Sequence, residues 1–314
     1  MHDKPVIPAA AGYRQYVNSL VTPKFSDRII RQVYCRSVAM DMTTGDFADG
    51  LISCGATLGF KVEPAIDIHE YQKNQTLVPQ ELETEWRWLS VDRAKYFNVK
   101  IDRIDEKQIC DWDEMAANFC DNASKRMFTQ LDPEVLMKIA KQASGQNKGA
   151  EAGRDGDVNL GRYGAPLAVD KDNIVEVLTN ARIVLEEQCR WEEGNMVMIL
   201  PTHAQKAFFG SELANYCATG VQSPLLNGRL RDRYMGWNVI FSPHAPRVWD
   251  ATANRWAYYV VFGHEGATGL VQQIDECDIM KIERSFGKYY RGLWVFGHDT
   301  LIPEAVGVIY AVFN

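Results

Sequence analysis

Few residues in this 314-residue sequence have the types and spacing that chemistry needs. Cys217 and His244 could form a nucleophile pair, because such partners meet in space and not along the chain. Neither stands in a recognisable signature, and cysteine is among the most often buried side chains, so packing is the simpler account. Asp155-x-Asp157-x-Asn159 opens like a calcium loop. Its sixth position is Leu160 where glycine is required, and its twelfth is Pro166 instead of a bidentate glutamate, so a solvated turn fits better. His69-Glu70 begins like a zinc-binding helix, but Lys73 stands where the second histidine ligand belongs. Asp111 and Asp113 fall at the start of a long helical pattern, where carboxylates complement the helix dipole. The six histidines and seven cysteines are scattered, with no C-x-x-C pair. The reading is a protein without a catalytic, cofactor or metal site; a thiol hydrolase built on Cys217 is the alternative from another class.

The charged clusters point to contact instead of turnover. Arg229-x-Arg231-x-Arg233 is the one concentrated basic group. On a strand the three guanidinium groups share a face, which suits phosphate or a partner's carboxylates. Asp232 and the acidic surplus favour the carboxylates: 34 Lys and Arg stand against 41 Asp and Glu, a net charge of −7. That balance opposes tight, sequence-independent nucleic-acid binding, which draws on many cations facing phosphates. A second mixed group, Glu70, Lys73, Glu81 and Glu83, lies in the polar stretch HEYQKNQTLVPQELE and suits salt bridges to a neighbouring subunit. The first twenty residues include Lys4 and Arg14 and hold no apolar run of signal-peptide length. The run from Val306 to Phe313 is far short of the roughly 20 residues of a spanning helix. The odd, unpaired cysteines read as free thiols of a reducing compartment.

These groups must be carried by elements that the periodicity predicts. Residues 1–25, with Pro5, Pro8 and Pro23, read as an extended arm, and 26–40 as a short helix. Thr57–Ile68 is strand-like, and a second strand run starts at Thr84 and continues through Trp86, Trp88 and Val91 to Ile101. Joined by the polar stretch, the two runs predict a projecting hairpin. Ile109, Trp112, Ala116, Phe119, Ala123, Met127 and Leu131 recur at helical spacing, predicting a long helix over 106–130. Asp132-Pro133 reads as an N-cap and restart for a shorter helix over 133–143. Residues 144–168 hold six glycines and little core material, so they predict a long functional or interaction loop. Ile174, Val177, Leu178, Ala181, Leu185 and Gln188 mark an amphipathic helix, and Met196–Leu200 a buried strand. Thr202 and Gln205 have capping-box spacing for another helix, and 211–217 reads as a further one. Trp237–Ser242 and five later segments (256–262, 270–274, 279–285, 293–298 and 306–313) read as strands. The class is α+β.

In their order, these segments resemble the major capsid proteins of tailed bacteriophages. The resemblance rests on KYFNVKIDRIDEKQ (95–108), NKGAEAGRDGDVNLGRYGAPLAVDKDNIVEVLTNARIVLEEQ (147–188), MVMILPTHAQKAFFGSELANY (196–216), SPLLNGRLRDRYMGWNVIFSPHAP (223–246) and FGKYYRGLWVFGHDTLIPEAVGVIYA (286–311). It implies the Hong Kong 97-type fold: N-terminal arm, extended β-hairpin loop, peripheral domain with a long spine helix, and axial domain. It places the arm and lead-in at 1–56, the extended loop at 57–100, the peripheral domain at 101–190 and the axial domain at 191–250. The closing strands, 251–314, are shared by the last two. It further implies pentamers and hexamers closing an icosahedral head around double-stranded DNA, without sequence-specific contact. A scaffolding protein and a portal are the implied partners, with a cement protein left open; assembly would occur in the host cytoplasm, and no membrane or cofactor is expected. An encapsulating nanocompartment shell of the same fold is the alternative.

Overall fold

The computed structural model describes residues 37–45, 57–62, 66–73, 75–76, 79–81, 84–103, 112–211, 225–226, 229–230, 234–282 and 286–313. In chain order the strands and helices are β1 (Thr57–Lys61), β2 (Trp86–Ser90), β3 (Arg93–Asp102), α1 (Trp112–Gln142), β4 (Leu167–Val169), α2 (Ile174–Glu187), β5 (Met196–Pro201), α3 (Ala204–Gly210), β6 (Leu225–Leu226), β7 (Arg229–Leu230), β8 (Asn238–Ser242), β9 (Arg247–Asp250), β10 (Arg255–His264), β11 (Thr268–Lys281), β12 (Gly287–Thr300) and β13 (Val306–Phe313). One sheet runs β4-β13-β10-β5-β8, with β9 also pairing β10; a second runs β11-β12-β3; β1 and β2 form a separate hairpin.

The central sheet is covered on both sides, and β5 shows why. All six of its residues are buried, the near-continuous apolar run of a strand shielded on both faces. Met196, Met198 and Leu200 point to the side where α2 lays down Ile174, Val177, Leu178, Ala181, Val184 and Leu185. Val197 and Ile199 point to the opposite side, against Leu131, Val135, Leu136 and Ile139 of α1. The same stretch of α1 packs on Trp294 and Phe296 of β12, so one helix joins the two sheets. A polar stripe at four-residue spacing, one turn apart, fixes the crossing. Glu134 pairs with Arg93 at 2.7 Å and Lys95 at 3.0 Å. Lys138 donates to the His298 carbonyl and to Asp299 at 3.2 Å. Gln142 donates to the Asp299 carboxylate and accepts from the Thr300 N–H at 3.1 Å.

The predicted break in this helix is absent: α1 runs unbroken from Trp112 to Gln142 with Pro133 inside it. Asp132 does not restart the helix. Its buried carboxylate accepts the Ser37 hydroxyl at 2.5 Å and the Val38 and Ala39 N–H groups at 3.1 Å each. It thereby caps the short 3-10 turn Ala39–Met42 from across the fold. The second strand run also divides, because β2 pairs with β1 while β3 leaves to join β12. The two late segments 270–274 and 279–285 merge instead into one strand, β11, whose register shifts between Gln272 and Ile274. Strand β1 ends at Lys61, short of the predicted Ile68. Thr202 supplies no cap to α3, which has no side-chain cap bond. The glycine-rich 144–168 segment is irregular as expected but contributes Ala152, Val158 and Leu160 to the core. Gly161, at φ +79°, lets it close: a Cβ there would stand 2.1 Å from the Tyr310 carbonyl oxygen. The predicted helices at 26–40 and 211–217 lie outside the described residues, save for the 37–40 end of the first and Ser211 of the second.

Candidate assembly surface

The hairpin is built to stand off the body. Antiparallel pairing runs from Thr57↔Ser90 to Lys61↔Trp86, and one more bond, Val62 N–H to the Glu85 carbonyl at 2.9 Å, extends it. Side chains alternate across such a ribbon. Leu89 is buried, with Val271 and Leu301, and Leu58 and Phe60 pack alongside. Trp86 and Trp88 stack on the outer face at 5.9 Å between centroids, both half exposed, with the Lys61 ammonium 5.3 Å from the Trp86 ring. Gly297 lets the root dock, since a Cβ there would meet the Ser90 carbonyl oxygen at 2.0 Å. Arg87, 3.5 Å from Glu304, adds an ion pair to the body.

Beyond the paired strands the tip is irregular. Gln80 and Asp67 tie its two limbs, with Asp67 N–H to Gln80 Oε1 at 2.9 Å and Gln80 Nε2 to Asp67 Oδ2 at 3.2 Å. Glu70, Lys73 and Glu81 are all exposed there; Glu83 lies outside the described residues. The tip is less polar than its text suggested. Ile66, Ile68 and Tyr71 are 73%, 94% and 67% exposed. The Ile-x-Ile alternation signals this in the sequence, but read alone it predicts a longer strand. Arg229 falls in β7, a two-residue strand paired to β6, while Arg231 and Arg233 lie outside the described residues.

Among the described residues, those weighed for chemistry do not converge. Cys217 and Asp111 lie outside the described residues, and Asp113 is in the first turn of α1. The His244 ring is part-buried at the end of β8, and His203 is exposed, with its ring 5.8 Å from that of Tyr258. Asp155 pairs with its neighbour Arg154 at 3.4 Å, and Asn159 accepts the Gly161 N–H at 2.9 Å. His69 and Glu70 sit on irregular chain, not a helix. Among the described residues no three metal-ligating side chains gather. The most perturbed histidine, His298, is structural. Burial, and then the Lys138 cation, push its imidazole down to about 4, and its ring stacks on Phe296 at 6.2 Å. Asp250 is likewise spent on structure. Burial opposes its charge, but the N–H groups of Ala253, Gly164 and Thr252 and the Tyr310 hydroxyl hold its carboxyl below the usual range. Tyr310 is pushed up, by burial first and then by Asp250.

No family model and no curated protein matches the chain. Solved structures do. A structure from Mycobacterium phage Che8 superposes at a TM-score of 0.72 and 18% identity, over 95% of this chain and 98% of that one. The capsid of cyanophage P-SCSP1u gives 0.64 at 13% identity, over 98% and 97%. The mature capsid of bacteriophage PhiM1 gives 0.64 at 14% identity, over 98% and 99%. The chain has the α+β fold of these phage capsid structures, in keeping with the resemblance of its segment order.

Proposed function

We propose that the protein is a major capsid protein whose copies close into pentamers and hexamers of an icosahedral head enclosing double-stranded DNA. The observation that carries this reading is the likeness to phage capsids over nearly the whole length of both chains. The domain limits follow the same reading: arm and lead-in 1–56, extended loop 57–100, peripheral domain 101–190, axial domain 191–250, and closing strands 251–314. The spine helix is then α1, and the hairpin of β1 and β2 is the extended loop.

The physics of the hairpin supports it. A two-stranded ribbon is marginal on its own in water, and this one carries exposed isoleucines and tryptophans beyond its buried root. Covering them with a neighbour removes apolar surface from water at about 25 cal/mol per Å². Glu70, Lys73, Glu81 and Glu83 then act as rim charges, each pair contributing only about 0.2–1 kcal/mol. Closure multiplies these weak contacts over the lattice. The acidic net charge suits a container that holds DNA without adsorbing it. The role is structural, not catalytic, and the destination is the virion, after assembly in the host cytoplasm with a scaffolding protein, a portal and a possible cement protein.

Electron microscopy of the expressed protein, with and without the products of its neighbouring genes, tests this. Closed icosahedral particles are expected. Particles that enclose an enzyme cargo instead of DNA would favour the nanocompartment reading, and soluble subunits in every combination would contradict both.

A further inference from the structure

The β9–β10 hairpin carries a second exposed aromatic surface, far along the chain from the first. Trp249 and Trp256 face each other across the strands, edge to face at 5.5 Å, and remain 45% and 48% exposed. The Arg247 guanidinium lies 4.8 Å over the Trp256 ring, and Tyr258, opposite Arg247, extends the row. The hairpin is rigidly held from beneath. Asp250 accepts the N–H groups of Gly164 at 2.7 Å, Thr252 at 2.9 Å and Ala253 at 3.0 Å, and the Tyr310 hydroxyl at 3.1 Å. Asp250 is the only carboxylate between residues 247 and 258 and is fully buried. The surface shows arginine and indole with no exposed acid, on a chain whose net charge is −7. Preorganised tryptophan and arginine are the residues that dominate protein interfaces.

Across β10 from β9, on the flank where β13 pairs, a stretch of complementary character is carried by a segment whose far end, at Gly164, reaches back to Asp250. There the irregular 145–169 segment follows the outer side of β13, through Lys148↔Val308 and the β4 pairing. Within it, residues 151–157 expose Glu151, Asp155 and Asp157 beside one cation, Arg154, while Lys148 and Arg162 flank that stretch. A surface that fits a different surface of the next copy makes a head-to-tail contact, and such contacts form a ring where the rotation between copies closes.

We propose that the Arg247–Trp249–Trp256 surface of one copy receives the acidic 151–157 segment of the next copy in a ring. This rests on the shell reading above and names a contact within it. Double-stranded DNA is the poorer occupant, because its paired bases offer the indoles no free faces and so few cations neutralise few phosphates.

Oxidative footprinting of Trp249 and Trp256, in free subunits and in assembled particles of the unaltered protein, is the first test. Both indoles are expected to be protected on assembly without DNA. Arg247→Glu should lower the assembled fraction by on the order of tenfold with an unchanged circular dichroism spectrum. Combining it with Asp155→Lys and Asp157→Lys should restore assembly. Equal oxidation in subunit and particle overturns the proposal while leaving the shell reading intact, as does protection that appears only when DNA is added. Soluble subunits in every combination with the products of the neighbouring genes overturn both.

Discussion

Strand β5 and the β1–β2 hairpin both carry large apolar side chains, and these meet opposite fates. β5 buries all six of its side chains between helices on either side. The hairpin buries Leu89 and leaves Trp86, Trp88, Ile66 and Ile68 facing water. The difference lies in what the same chain supplies on each face. α1 and α2 cover the central sheet, whereas the hairpin's outer face and tip have no such layer among the described residues. Apolar side chains that the chain covers report on its own stability. Those it leaves open report on what it binds.

The comparison is broken most severely in the central sheet. Phe262→Ala, removing a fully buried ring packed against Trp237, should cost the subunit about 3–5 kcal/mol, read by chemical denaturation. Asp132→Ala should follow at about 2–4 kcal/mol, because it strands the Val38 and Ala39 N–H groups without a partner. Acid should act through His298, which faces Lys138, Glu134, Arg93 and Asp299. Its folded-state value of about 4 lies below the ordinary 6.5, so below pH 6.5 the unfolded chain takes up a proton that the folded chain refuses. Stability therefore falls between about pH 6.5 and pH 4 and then levels off, losing up to about 3 kcal/mol per subunit. In His298→Leu that share of the pH dependence should vanish from the thermal melts. The smallest effect on the subunit belongs to the tip: Ile68→Ser should change its stability by less than about 0.5 kcal/mol, yet weaken assembly measured by sedimentation.

Local signals made much of this legible, and their failures are instructive. The α2 stripe and the buried run of β5 are read from spacing alone, because each side chain's partner class is set by periodicity. Asp132-Pro133 looks like a helix start because both residues fit one, but the partners of Asp132 are at Ser37–Ala39, which no local window reaches. The loop at 144–168 looks poor in core material because glycine hides how closely Leu160 and Gly161 approach β13. The split between β2 and β3 is invisible because both halves are equally strand-like and only their pairing differs. At the candidate surface, charge drew attention to Glu70 and Lys73, while Ile68 beside them was counted as strand. Sequence distinguishes apolar from polar, but not covered from open.

The account turns on the hairpin tip being open in the subunit and covered in the shell. Limited tryptic digestion of free subunits and assembled particles, side by side, reads this at Lys73, which is exposed in the tip. Rapid cleavage after Lys73 in the subunit and strong protection in the particle is the predicted result. Equally slow cleavage in both would mean that the chain holds its own tip, and equally fast cleavage that no neighbour covers it; either contradicts the account.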